Sequence, residues 1–295
     1  MDIFVQQIIN TLFQGSIYAL FALGYTLIFG VLDILNLAHS AVFMLGAFMA
    51  LLLVTKAGLN IIAAFVLAMV GTGLLGILLD RVAFAPLRAR GASHLAPLIS
   101  SIAMAIIFQS VALGLFGGLV YRFPPGTAPS ANLGAGGVHV DVLQVIIFAV
   151  AVALMIGLQW LLQRTRLGKS IRAVAENQKA AKLLGINVEA VIATTFCISS
   201  ALGGAAGVLV GLSLNAISPD MGQAIELKGL AVIIIGGMGS IPGAVIAGFL
   251  LAATEVFTIS FISSTVRDAI AFSLLFLVLL IWPSGILGRR ALREA

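Results

Sequence analysis

Three short segments carry the polar residues whose types and spacing could do chemistry, and none of them reads as a catalytic centre. In NLAHSA, Asn36, His39 and Ser40 bring an amide, an imidazole and a hydroxyl close together. Such groups either satisfy backbone donors and acceptors freed where a membrane helix is interrupted, or cap helices around an ordinary short loop. In GGMGSIPGA, Gly236, Gly237 and Gly239 weaken a helix, Ser240 can cap the next one and Pro242 suits its first turn. A turn is expected there. It is either a tight turn at a membrane face, or non-helical backbone beside a water-filled path of the kind transporters use.

The third segment, RTRLGKSIRAVAENQKAAKLLGINVEA, runs from Arg164 to Ala190. It predicts one amphipathic helix over Ser170–Leu184. Ile171, Val174, Ala175, Ala181 and Leu184 supply a small apolar face, and Arg172, Glu176, Lys179 and Lys182 the charges. Arg172 with Glu176, and Glu176 with Lys179, stand at spacings that allow intrahelical pairs. Gly185 is placed for a left-handed C-terminal cap. A helix this short is marginal alone in water. Its Ala-rich face offers little area for insertion among lipid headgroups, so the pattern favours a protein partner over the membrane surface.

Other chemistry is missing. There is no GxxxxGK[ST] and no HExxH, so neither nucleotide hydrolysis nor zinc-peptidase chemistry is expected of this chain. His39, His94 and His139 lack ligand spacing, and Cys197 stands alone; no metal site and no disulfide is expected. Glu255 and Asp268 could carry protons, but both fall near the ends of apolar runs, where flanking charges are common. The spans are therefore expected to hold almost no ionisable group away from their ends. No catalytic residue is assigned.

The elements that must position these segments follow from composition. Of 295 residues, 61% are hydrophobic and 9% charged, and the mean hydropathy is +1.18. Soluble domains carry about 25% charged residues, so this chain cannot cover a water-facing surface. A soluble enzyme, a nucleic-acid module and a disordered chain are all excluded. Uncharged runs span Ile3–Leu32, Ile34–Thr55, Ala57–Leu79, Gly91–Tyr121, Val142–Gln163, Ala190–Pro219, Gly229–Thr254 and Ala269–Gly288. Each reaches the roughly 20 residues that a membrane helix needs. A shorter run, Val256–Val266, could continue the helix that includes Gly243. The runs do not alternate in polarity, which argues against a β-barrel. The expectation is an all-α polytopic membrane bundle of about eight or nine transmembrane helices, some broken or re-entrant. Residues 1–295 form one membrane domain, with a cytoplasmic segment at about 164–189. The N-terminus, MDIFVQQIIN, has no basic n-region and reads as part of the first span.

Twelve of the 16 basic residues fall in three clusters: Arg81–Arg90, Arg164–Lys182 and Arg289–Arg293. The positive-inside rule places all three, and hence the C-terminus, in the cytoplasm. The Pro- and Gly-rich stretch YRFPPGTAPSANLGAGGVHVD then lies outside. The net charge of +5 is topological and implies no nucleic acid.

Taken together, GYTLIFGVLDILNLAHSAVFMLGAF, IRAVAENQKAAKLLGINV and GLAVIIIGGMGSIPGAVIAGF resemble the LivH-type branched-chain amino acid permeases of ABC transporters. The resemblance covers essentially the whole chain, with the motifs in order. It implies a multi-pass permease of the bacterial inner membrane that moves leucine, isoleucine and valine. Partners would be a second homologous permease, two cytoplasmic ATPase subunits, a periplasmic substrate-binding protein and the lipid bilayer. No cofactor would be bound by this chain; ATP would be used by the partner subunits. The segment that meets the ATPases would include Arg172, Ala173, Glu176, Asn177, Ala180, Ala181, Leu184 and Gly185. Asn36, His39, Ser40, Gly236, Gly237, Gly239 and Ser240 would mark the translocation path or helix breaks. A related permease for urea, short amides or other amino acids is the alternative, and an ion-driven secondary transporter a more distant one.

Overall fold

The computed structural model describes residues 2–288 apart from 94, 130, 132 and 135–138. His94 and the cluster at Arg289, Arg290 and Arg293 lie outside the described residues. The chain folds into α1 (Asp2–Leu32), α2 (His39–Thr55), α3 (Ile61–Leu79), a π-helical turn (Asp80–Phe84) and α4 (Ala85–Ala89). There follow α5 (Leu95–Phe116), α6 (Val142–Arg164), α7 (Arg166–Glu176), α8 (Gln178–Leu183) and α9 (Val188–Leu214). The last three are α10 (Met221–Gly236), α11 (Ile241–Phe261) and α12 (Arg267–Ile281). Among the described residues there is no strand, only an isolated bridge between Tyr121 and Ile217.

Among the described residues, six helical stretches are long and apolar enough to cross a membrane: α1, α3 continued through α4, α5, α6, α9 and α11. A shorter apolar helix, α2, has 17 residues, and α10 and α12, of 16 and 15 residues, carry charged residues. The expected all-α, multi-pass architecture holds. One uncharged run was misread as a single span: Gly229–Thr254 crosses the turn between α10 and α11. The charges in α10 had cut its first half away from the run.

Packing puts α1, α2 and α9 at the centre and leaves large faces of α3, α5 and α6 exposed. Helix α3 shows how. Ala64, Ala68, Thr72 and Gly76, spaced by four, are buried, while Ile62, Val66, Val70 and Leu74 point outward. In lipid there is no hydrophobic gain from hiding leucine, so small residues turn inward where they let backbones approach. Gly46 of α2 and Gly204 of α9 meet in this way, with no room for a Cβ on Gly46.

Two ends of the bundle can be distinguished. A basic end holds Arg88, Arg172, Lys179 and Lys182, together with the end of α1 and the α10–α11 turn. The far end holds the described residues of 117–141 and the start of α1, where Gln6 bonds to the backbone of His139 in both directions, at 2.9 and 2.8 Å. Near the basic end Asp80 is fully buried and pairs with Arg88 at 2.6 Å; Arg88 also reaches Glu189 at 2.8 Å.

Candidate functional site

The first polar segment links α1 to α2 and leads the chain from the basic end back into the bundle. After α1, Asp33 turns the chain in the left-handed region at φ 55, a conformation that aspartate tolerates better than most residues. Residues 34–38 are not helical, and Asn36, His39 and Ser40 are all buried. Asn36 Oδ1 accepts from Ala38 N at 3.2 Å, an Asx-type turn, and Ser101 Oγ accepts from Leu37 N at 3.1 Å. These bonds satisfy backbone that would otherwise be orphaned at this depth. The His39 ring packs against Phe21 and Tyr25, with centroids 5.0 and 4.8 Å away. Its Nε2 lies 3.3 Å from the Phe21 carbonyl. Phe21 stands eleven residues, roughly 16 Å, before the end of α1. Helix α2 therefore begins inside the bundle and not at its face.

Helix α10 is short and bounded by breaks. Asn215 is left-handed at φ 44 before it, and Gly237 (φ 95) and Gly239 (φ 82) follow it. Ser240 caps α11 through Gly243 N at 3.2 Å, with Pro242 in the first turn. The Gly237 backbone abuts Gly288, and Ile286 N and Leu287 N bond to the carbonyls of Ile235 and Gly236 at 2.8 and 3.0 Å. A side chain at Gly237 would collide with that returning segment. Gly239 faces Gly30 of α1 with more space.

Sequence reasoning missed the charges within α10. Lys228 Nζ stands 2.7 Å from Glu255 Oε1 of α11 and 3.6 Å from Asp268 of α12. Glu255, fully buried, also accepts from Tyr18 OH at 2.7 Å and Gln14 Nε2 at 2.9 Å. Lys228 donates to Tyr18 OH at 3.1 Å. The expectation that spans hold almost no interior ionisable groups is therefore corrected. Gln14, Tyr18 and Lys228 of this network line a cavity of about 640 Å³ together with Gln7, Asn10 and Arg267. The available signal was the triplet Glu226-Leu227-Lys228 itself, which marked a boundary only because charges were used to delimit spans.

The charged segment is not one helix. It breaks at Asn177, which is extended (φ −159) and caps α8 by accepting from Ala180 N at 2.9 Å. An Asn side chain competes with helical backbone in this way. Ile171 and Val174 are buried against the chain itself, and Arg172 Nη1 bonds to the Leu162 carbonyl at 2.6 Å. The apolar face of α7 is thus already occupied. Ala181 is buried and Ala173 half-buried, whereas Glu176, Asn177 and Ala180 are exposed. Leu183 and Leu184 stand out, at 89% and 81% exposed, before Gly185 closes the helix at φ 82. Arg172, Glu176 and Asn177 share a cavity of about 1090 Å³ with Asp33, Gly239 and Ser240. The end of α1, the glycine turn and the charged segment are thus brought to one place, while Asn36, His39 and Ser40 lie deeper.

The family described as branched-chain amino acid transport system, permease component, matches residues 7–282. A high-affinity branched-chain amino acid transport system permease protein, BraD of Pseudomonas aeruginosa, is 39% identical over 97% of this chain and 96% of its own. LivH of Escherichia coli, described in the same words, is 35% identical over the same shares.

Proposed function

We propose, from the premise that this chain belongs to the family of branched-chain amino acid transport system permease components, that it is the membrane subunit of an ATP-driven importer of leucine, isoleucine and valine. The observation that carries this reading is a 39% identity running through 97% of the chain. The whole chain acts as one membrane domain in a bacterial inner membrane, with its basic end and C-terminus in the cytoplasm. A second homologous permease completes the path, two ATPase subunits bind at the basic end, and a periplasmic binding protein delivers cargo to the far end. The chain itself catalyses nothing and holds no cofactor; nucleotide is hydrolysed on the partner chains.

The parts have distinct tasks. Leu183 and Leu184, an exposed apolar pair flanked by Lys179 and Lys182, are the contact offered to an ATPase. Movement there reaches the cavity shared with Asp33 and Gly239, so that α10, bounded by its two breaks, shifts relative to α1. Asn36, His39 and Ser40 keep the interrupted entry to α2 satisfied while this happens.

The test is reconstitution of the chain with a second permease, the ATPases and a binding protein in vesicles. ATP-dependent uptake of radiolabelled leucine is the expected result. Uptake by the chain alone under an ion gradient would replace this reading with a secondary transporter. ATP-dependent uptake of urea or a short amide without leucine would correct the cargo.

A further inference from the structure

Glu226 and Lys228 stand two residues apart on α10, about 200° around the helix, and face opposite sides. Lys228 is neutralised by Glu255. Among the described residues no Lys or Arg lies within ion-pair distance of Glu226. Its carboxylate meets Ser40 Oγ at 3.0 Å, but that hydroxyl is equally close to the Leu37 carbonyl, with one proton for two acceptors. Glu226 is ten residues, roughly 15 Å, from the basic end of its helix and five residues, roughly 8 Å, from the other end at Met221. A carboxylate at that depth faces water or a polar partner and not hydrocarbon.

The surroundings are shaped to match. Glu226 lines an open-sided cavity of about 240 Å³ between α2, α5 and α10. Gln223 and Gln109 bond to each other across it at 3.0 Å, and Met44, Ile102 and Ile106 form its apolar wall. A carboxylate, two amides and an aliphatic wall complement a zwitterion with a branched apolar side chain: ammonium on Glu226, carboxylate on amide N–H groups, hydrocarbon on the wall.

We infer that Glu226 is a specificity-determining residue of the transport path, its carboxylate receiving the ammonium group of the passing amino acid. The inference rests on the proposed function and deepens it.

The experiment uses the full complex in vesicles with leucine-loaded binding protein. If the parental complex imports no leucine, the proposed function fails. If it does, Glu226→Gln should lower leucine uptake per ATP hydrolysed by roughly ten- to a hundredfold, as expected for losing a hydrogen bond to a charged group. Glu226→Asp should retain most of it. A merely structural defect would lower hydrolysis and uptake together and leave their ratio unchanged. A parental ratio in Glu226→Gln overturns the inference. Should that variant not assemble, Glu226→Cys in a Cys197→Ser background decides the matter. A cationic, impermeant thiosulfonate should modify it and saturating leucine should slow the reaction; no modification in any nucleotide state overturns the inference.

Discussion

Lys228 and Glu255 meet at 2.7 Å in the interior of the bundle, tying the short helix α10 to α11 through a pair whose side chains are 14% and 0% exposed. Removing one member of such a pair strands the other. Lys228→Met should destabilise the protein by about 3–5 kcal/mol, the range for an uncompensated buried charge. Glu255→Gln should cost less, because the new amide can still bond to Tyr18 and Lys228 keeps Asp268 at 3.6 Å. The double variant should cost less than the sum of the two. Thermal unfolding in detergent measures all three, and strict additivity would show that the pair contributes no coupling.

The glycine turn makes an ordering prediction. Gly239→Ala places a Cβ at φ 82 with space around it, costing about 1–2 kcal/mol for left-handed backbone. Gly237→Ala adds a collision with Gly288 to the same strain and should assemble less well. Gly239→Val, β-branched at that φ, should insert yet impair uptake. Uptake assays alongside quantified membrane insertion check the series; equal tolerance at 237 and 239 would contradict the packing of the returning segment.

Contact with the ATPases should depend on Leu183 and Leu184, the most exposed apolar side chains of the charged segment. Leu183→Asp and Leu184→Asp should leave stability within about 0.5 kcal/mol, as surface changes do. Co-purification of the ATPases and substrate-stimulated hydrolysis should both fall. Ala181→Trp should behave differently. Its site is 2% exposed against this chain, so it should overpack the permease itself by about 1–3 kcal/mol. ATPase recovery that survives both aspartate variants would move the contact elsewhere.

Sidedness is open to direct labelling. In intact cells a cysteine replacing Gly126, at the far end, should react with an impermeant thiol reagent. One replacing Lys182, at the basic end, should react only after permeabilisation. The reverse pattern would invert the topology and remove the ATPase contact from α8.

Much of this protein was legible along the chain. Uncharged apolar runs must become helices in lipid, because only intrasegment hydrogen bonds satisfy their backbone, and most runs correspond to helices α1 to α12. The local devices were also readable: Ser240 as a cap, Pro242 in a first turn, Gly185 at positive φ. The break at Asn177 was not foreseen, although an Asn in a marginal helix is a local signal for one.

What tertiary structure alone decided is which faces meet. Membrane helices are apolar all round, so periodicity does not orient them as it does a half-buried helix in water. Their rotation follows instead from close approach at residues such as Gly46 and Gly204, which lie far apart in the chain. That rotation brings Tyr18 of α1 to Glu255 of α11, 237 positions away. It turns Ala181 inward and Leu184 outward, and it leaves Glu226 facing an open cavity while Lys228, two residues on, is locked inside.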